Sequence, residues 1–304
     1  MKNNQLMIYG AYGYAGELMV REAVAQGLRP IIAGRDDEKL KPIATELSLE
    51  CRAFGVRNTG SNLQDISVLL NCAGPFSATA EPLARACLAQ QIHYLDITGE
   101  IDIFRKCHAL DEEARQQNVL ILPGAGTDIV PTDCLAAMLK EKLPVATRID
   151  LALSFGTNPS IGTVNTMIES FGKGGLIREG GMLKVVSNAF QMRKIPFQNK
   201  PQWAMTIPWG DVFTSGISTG VPDGAVYMAM PRMSIYMIRL TNPVKGILNT
   251  QFGQKITKRL AGWLMKKGPD AKALEAGRGQ FWGEAEAPDG EKLEMTMSTP
   301  MSTL

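Results

Sequence analysis

Near the N-terminus, Gly10-Ala11-Tyr12-Gly13-Tyr14-Ala15-Gly16 repeats glycine at every third position. The apolar run Leu6-Met7-Ile8-Tyr9 leads into it and an amphipathic stretch leads out. A strand, a glycine turn and a helix in that order can cradle a dinucleotide. The glycines allow a tight turn, close approach of backbone to a pyrophosphate, and close packing of helix on strand. Free N–H groups at the helix start then face the phosphates. The next apolar run, Pro30-Ile31-Ile32-Ala33, ends in Gly34-Arg35, where an NAD site carries an acid for the ribose hydroxyls. A carboxylate would repel a 2′-phosphate, whereas a guanidinium pairs with it and stacks on adenine. Arg35 therefore predicts NADP(H). Lys39 adds positive charge one turn on, and Asp36 or Asp37 caps the following helix. From this region Gly10, Tyr12, Gly13, Tyr14, Ala15, Gly16 and Arg35 are expected to hold the cofactor.

Three more loops follow apolar runs: Asn71-Cys72-Ala73-Gly74-Pro75-Phe76, Asp96-Ile97-Thr98-Gly99-Glu100 and Pro123-Gly124-Ala125-Gly126-Thr127-Asp128. Ligands of open α/β sheets bind at the carboxyl ends of strands. Small residues there admit a ribose or nicotinamide, so Asn71, Ala73, Gly74, Pro75, Thr98 and Gly99 are expected contacts. Each loop taken singly could equally be a tight strand-to-helix turn. Hydride transfer needs positioning above all, with one proton donor at most. Tyr94, Asp96, Thr98, Glu100, Asp128 and Asp133 fall near the expected cleft edge. Asp128 is the first catalytic candidate and Glu100 the second; either could instead serve a helix start. His93 and His108 offer little, and with no closely spaced cysteine pair no metal site is expected. The turn lacks the Lys-Ser/Thr of an ATPase phosphate loop. No Tyr-x-x-x-Lys pair follows the fourth strand as in short-chain dehydrogenases.

The elements that must position these residues alternate. Strands are expected at 6–9, 30–33, 51–54, 68–72, 93–97 and 119–122, with helices at 14–26, 37–47, 79–90 and 101–117. Continuous apolar strands between helices predict a parallel sheet covered on both faces, an α/β doubly wound Rossmann domain over residues 1–130. Residues 131–304 have another texture. A strand is expected at 148–155 and helices at 161–172, 232–241 and 245–267. Strands at 279–288 and 292–299 are joined at Pro288-Asp289-Gly290, a hairpin signal. Leu293, Met295 and Met297 alternate with Glu294, Thr296 and Ser298, which buries one face. The second domain is expected to be α+β on an antiparallel sheet, serving substrate binding or dimerisation.

The 304 residues suffice for two such domains. The net charge of +2 argues against nucleic-acid binding. It is uneven, −4 up to Pro131 and +6 after it. Cys51, Cys72, Cys87, Cys107 and Cys134 form no CxxC pair and read as reduced thiols. With neither a signal core nor a membrane-length apolar run, the expected location is cytoplasmic.

Three segments carry a resemblance: GAYGYAGELMVREAVAQGLRPIIAGRDDEKL, NCAGPFSATAEPLARACLAQQIHYLDITGE and LPGAGTDIVPTDCLA. Together they resemble the saccharopine dehydrogenase-like oxidoreductases. The third departs in part, with Gly126-Thr127-Asp128-Ile129-Val130-Pro131-Thr132-Asp133 where the family often has Gly-Phe-Asp-Ser-Val-Pro-Ser-Asp. The likeness is clear over the first half and looser at Phe281-Trp282-Gly283-Glu284. It implies an NADP-binding Rossmann domain and a second α+β domain that closes over the nicotinamide. The family name comes from an enzyme that reduces an imine, and similar chains, the trans-acting enoyl reductases, act on lipid-linked enoyl groups. Family chains often continue past the final hairpin, so this chain reads as a short version.

The expected function is NADP(H)-dependent hydride transfer to or from a C=N or C=C bond of a small-molecule or acyl substrate. The alternative is a non-catalytic NADP(H)-binding sensor or scaffold. From Gly224 to Pro269 there is no acid, while Arg232, Arg239, Lys245, Lys255, Lys258, Arg259, Lys266 and Lys267 alternate with Met, Ile, Leu and Trp. Residues 232–267 could rest on an anionic membrane or clasp an acidic acyl carrier; a packed helix pair with a solvated basic face is the other reading. A homodimer is also compatible with the sequence.

Overall fold

The computed structural model describes residues 5–155, 174–240, 242–244 and 278–300. The chain divides into two compact units, Met1–Asp128 and Ile129–Leu304.

The first unit holds six strands: β1 (Leu6–Tyr9), β2 (Ile31–Gly34), β3 (Cys51–Ala53), β4 (Val68–Asn71), β5 (His93–Asp96) and β6 (Ile121–Leu122). Its helices are α1 (Tyr14–Ala25), α2 (Asp37–Leu47), α3 (Phe76–Ala89), α4 (Ile101–His108) and α5 (Asp111–Gln116). All strand pairs are parallel, in the order β3-β2-β1-β4-β5-β6. The strands are short and apolar because both faces are covered. Met7, Tyr9, Ile31 and Leu69 pack with Leu83, Cys87 and Leu88 of α3 and Ile103 of α4. The intervening Ile8 and Ile32 pack with Val20 of α1 and with Leu40 and Ile43 of α2. Alternate residues of one strand thus feed two cores, as the side-chain period of two requires. The single helix expected at 101–117 is two. Buried Leu110 interrupts it, and Asp111, Glu112 and Glu113 start a new first turn, where acids suit the helix dipole.

The second unit holds β7 (Arg148–Phe155), β8 (Gly175–Glu179), β9 (Met182–Val186), β10 (Met192–Pro196), β11 (Pro201–Ile207), β12 (Asp223–Ala229), β13 (Arg278–Glu286) and β14 (Lys292–Pro300). Its helices are α6 (Val130–Lys142), α7 (Asp211–Thr219) and α8 (Arg232–Leu240). The sheet runs β10-β11-β12-β7-β13-β14, with β8 beside β12 and β9 beside β8. The expected antiparallel sheet is in fact mixed: β7 and β12 are parallel. Strands β8 to β11 and α7 intervene in sequence between β7 and β12, a connection long enough for the chain to return to the same end of the sheet. The hairpin turn at 288–290 forms, with Gly290 at φ +89° and Glu286 opposite Lys292. The helices expected at 161–172 and 245–267 fall outside the described residues. Among the described residues no helix is long and apolar enough to cross a membrane.

One face of this sheet carries an ion-pair cluster. The Arg193 guanidinium lies 4.7 Å from the centre of the fully buried Trp282 ring, and its two terminal nitrogens donate to Glu284 at 3.1 and 3.0 Å. Asp150 stands 3.5 Å away. Burial pushes the Glu284 carboxyl up, but Arg193 and Lys292 outweigh it and hold it below the ordinary value. Arg193→Met should destabilise this unit by about 1–3 kcal/mol, since Glu284 would stay buried with its strongest donor gone. The denaturant midpoint measures it; an unchanged midpoint would mean that Lys292 alone satisfies the carboxylate.

Candidate functional site

In the first unit the strand order reverses at β1, which has β2 on one side and β4 on the other. A crevice opens at such a switch point outside the carboxyl ends of the strands, and the glycine turn leaves β1 there. Gly10 sits at φ +86° and donates its N–H to the Ala33 carbonyl at 2.7 Å. A Cβ on Gly10 would stand 2.7 Å from the Ala73 nitrogen, so only glycine lets the first loop lie against the loop after β4. A Cβ on Gly16 would stand 2.1 Å from the Gly10 carbonyl oxygen, which makes Gly16 the point where helix meets turn. Gly13 differs. Its φ of −77° suits any residue, and the nearest atom to a Cβ there is the Gly10 oxygen at 3.2 Å. Gly74 would meet nothing within 4 Å. The fold demands glycine strongly at 10 and 16; beside 13 and 74 there is room for a ligand.

Gly13 occupies the N-cap of α1 without any side-chain cap. The first-turn amides of Tyr14, Ala15 and Gly16 therefore have no acceptor within the helix, the arrangement that receives an anion. Tyr14 is exposed; Tyr12 is half-buried, its ring against Gly34, where a Cβ would come within 2.6 Å. Arg35 is exposed and makes no ion pair among the described residues. The neighbouring carboxylates belong to α2. Asp36 is its N-cap, accepting from the Lys39 amide at 3.3 Å, and Asp37 pairs with Lys41 at 2.8 Å. Lys39 stands 5.6 Å from the Tyr12 ring centre. The turn, its uncapped helix start and the Arg35 cation fit a dinucleotide with an additional phosphate on its adenosine ribose.

A buried polar network supports the loops after β4, β5 and β6. The Asp96 carboxylate accepts from the Thr98 amide at 3.0 Å, the Gly124 amide at 2.9 Å and the Tyr94 hydroxyl at 2.8 Å. The Tyr94 oxygen accepts from the Asn71 amide group at 3.1 Å, and Asn71 Oδ1 receives the Ala73 N–H at 3.0 Å. Asn71, Tyr94, Asp96 and Thr98 are all fully buried. Burial pushes Asp96 above the ordinary carboxylate value, opposed by the three donors, and pushes the Tyr94 phenol further into its protonated range. Burial likewise raises the Cys72 thiol to about 12, which rules out a thiolate at this edge at neutral pH.

The residues picked from sequence therefore separate by task. Gly10 and Ala73 adjoin, Tyr12 adjoins Gly34, and Gly99 adjoins Asp128, whose carboxylate oxygen would be 3.7 Å from a Cβ there. The Asn71 side chain is turned into the network and the buried Thr98 hydroxyl accepts the Glu100 amide, so contact with a cofactor from these positions passes through backbone. Asp96 and Tyr94, expected at the cleft edge, are interior. Pro75 is exposed and precedes α3 as its N-cap. Glu100 is the N-cap residue of α4, its amide on Thr98 Oγ1 at 3.1 Å. Asp128 is exposed as a residue, yet enough protein surrounds its carboxyl to raise it above the ordinary value. Asp133 lies on α6 in the second unit and accepts from Ser218 at 2.6 Å. His93 Nδ1 accepts the Leu120 amide, a structural task. Sequence reasoning missed two members of the network: Gly124, and Thr79, whose hydroxyl accepts from the Asn71 amide group at 3.2 Å and donates to the Ala73 carbonyl at 2.6 Å. Tyr94 and Asp96 at alternate positions of one strand hinted at a shared face, but no local pattern pointed to partners in other loops. Among the described residues no cluster of metal-ligating side chains occurs.

Comparison with known proteins adds to this geometry. Residues 6–122 match the family described as saccharopine dehydrogenase NADP binding domain. A saccharopine dehydrogenase-like oxidoreductase of Rattus norvegicus is 25% identical over 231 residues, 66% of this chain and 53% of that protein. A putative trans-acting enoyl reductase of Mycobacterium tuberculosis is 28% identical over 205 residues, 60% of this chain and 44% of that protein. The chain spans about half the length of the curated relatives it matches. Saccharopine dehydrogenase (L-Glu forming) of Saccharomyces cerevisiae shares the fold, with a TM-score of 0.64, 9% identity and coverage of 98% of this chain and 85% of that one.

Proposed function

From the match of residues 6–122 to the saccharopine dehydrogenase NADP binding domain, we propose that this chain is a saccharopine dehydrogenase-like oxidoreductase, an NADPH-dependent reductase of a C=N or C=C bond. The observation that carries the choice of dinucleotide is Arg35, a cation without an ion pair among the described residues at the end of β2, beside carboxylates already engaged in α2. The amides of Tyr14, Ala15 and Gly16 would hold the pyrophosphate and Arg35 the 2′-phosphate. The backbone at Ala73–Pro75 and Thr98–Gly99 would flank the nicotinamide side. When bound, the reduced cofactor supplies the hydride. The chain's own task is to orient the partners and to provide a proton. Asp128, exposed beside Gly99 and with its carboxyl raised, is the group suited to hold that proton; Glu100 at the start of α4 is the second candidate. The resemblance to saccharopine dehydrogenase-like oxidoreductases and to a putative trans-acting enoyl reductase suggests two substrate classes, an imine and an enoyl group.

Arg35→Ala should weaken NADPH binding about 10- to 100-fold, the worth of one charge-assisted contact of ~1.5–3 kcal/mol, and leave NADH binding unchanged. Titration of both nucleotides measures it; equal losses would remove the 2′-phosphate assignment. Activity is tested by following NADPH absorbance across a panel of cyclic imines, amino acids paired with 2-oxo acids, and enoyl thioesters. Oxidation with an imine or an enoyl compound names the class. Tight NADPH binding with no turnover across the panel would favour a sensor or scaffold.

A further inference from the structure

Helix α8 carries its apolar stripe on the wrong side for a packed helix. Met233, Tyr236, Met237 and Leu240 follow the i, i+3, i+4, i+7 spacing of one face, and that face points to solvent: they are 71%, 38%, 60% and 73% exposed. The helix is anchored by the fully buried Ile235 on its other side. Both ends are pinned. The Arg232 guanidinium lies 4.9 Å from the Trp203 ring centre and bonds the Tyr236 hydroxyl at 3.1 Å. Arg239 donates to the carbonyls of Ala189 at 2.9 Å and Phe190 at 3.4 Å. Among the described residues these two cations meet rings, a hydroxyl and carbonyls, and no carboxylate. The surrounding chain, from Gly224 to Pro269, contains no acid.

We infer that α8 docks the second unit on an anionic lipid surface, with Met233, Met237 and Leu240 entering the headgroup boundary, Tyr236 at the interface, and Arg232 and Arg239 facing lipid phosphates. Flexible methionines suit a fluid apolar layer, a tyrosine suits its wet edge, and basic residues beside the stripe supply the electrostatic half of such binding. A second copy packed face to face would bring the Arg232 and Arg239 cations of one copy near those of the other, since a two-fold interface repeats the same basic patch on both sides. An acidic carrier protein would match the charge, but a continuous apolar stripe fits a bilayer boundary better.

The test uses the full chain with vesicles of phosphatidylcholine, with and without phosphatidylserine, by co-sedimentation at low and high salt. Binding is expected to phosphatidylserine vesicles at low salt, to fall at high salt, and to be weak and reversible, as one short helix allows. Met233→Ser combined with Met237→Ser should weaken it by about tenfold or more, the loss expected for at least one buried apolar side chain. Both positions are exposed, so circular dichroism and NADPH affinity should stay unchanged, which separates this docking from cofactor binding. No co-sedimentation at low salt overturns the inference, as does equal binding by the double variant. A concentration-dependent dimer that the double variant dissociates, or binding to an acyl carrier protein without binding to vesicles, would assign the stripe to another occupant and also overturn it.

Discussion

Gly16→Ala is expected to abolish measurable NADPH binding while leaving the second unit intact. The added methyl would stand 2.1 Å from the Gly10 oxygen, 2.8 Å from its carbonyl carbon and 3.0 Å from the Ala11 Cα, all backbone atoms. No rotamer relieves such a contact; either the turn or the start of α1 must shift. The amides of Tyr14, Ala15 and Gly16 then lose their common aim. Two charge-assisted bonds at ~1.5–3 kcal/mol each correspond to about a 10²- to 10⁴-fold loss of affinity. Gly13→Ala is the internal comparison. Protein crowds it far less, so it should cost little stability, and a large loss of affinity there would come from the ligand itself occupying the space. Calorimetric titration of NADPH against both variants, with thermal midpoints as the fold control, decides. A Gly16→Ala protein that binds NADPH as well as the parent would show that the turn is only a connection.

Asp96→Ala should be the most destabilising single change in the first unit. It removes the acceptor of two buried amides, Thr98 and Gly124, and of the Tyr94 hydroxyl. Buried donors left without partners cost about 1–3 kcal/mol each, so about 3–9 kcal/mol is expected for the three, a large part of the 5–15 or so that holds a domain together. Cofactor affinity should fall with it, because three loops at the sheet edge lose their common anchor. Asp96→Asn keeps the variant set informative if the alanine protein does not fold. Its Oδ1 still accepts both amides, whereas its amide group meets a Tyr94 oxygen that already accepts from Asn71; about 1 kcal/mol is expected. The sign with pH follows from burial. The folded carboxyl is raised, so just above the ordinary carboxylate value the folded state binds more protons than the unfolded one. The stability contributed by this group therefore falls as pH rises through that window. Asp96→Asn should lack that slope. Unchanged thermal midpoints in both variants would overturn the anchoring role.

The first unit was largely legible because its signals are local. Apolar runs of four residues bounded by glycine announce strands buried on both faces. The glycine spacing announces the turn, and the apolar run before Arg35 announces that this cation stands at the end of β2. The misses were also physical. Helix 101–117 breaks because Leu110 is drawn into the core and the acids after it start a new helix well, a preference that helical periodicity does not reveal. Strands β8 to β12 escaped notice because their residues mix glycine, proline and polar types, and β12 is held by β7, with Asp223 opposite Arg148.

The sequence by itself determined the alternation of strands and helices, the glycine turn at the first strand end and the cation that follows the second, since each depends on residues a few positions apart. Only the tertiary structure decided the strand order that places β1 between β2 and β4, the parallel pairing of β7 with β12, and the meeting of Asn71 with Tyr94 and of Asp96 with Gly124, 23 and 28 residues apart. Register between strands sets those contacts, and register is a property of the assembled sheet. The same holds for α8. Periodicity reveals that a helix has two faces, but which face meets the core is settled by the packing of the whole unit, and here the core took Ile235 and left the methionines outside.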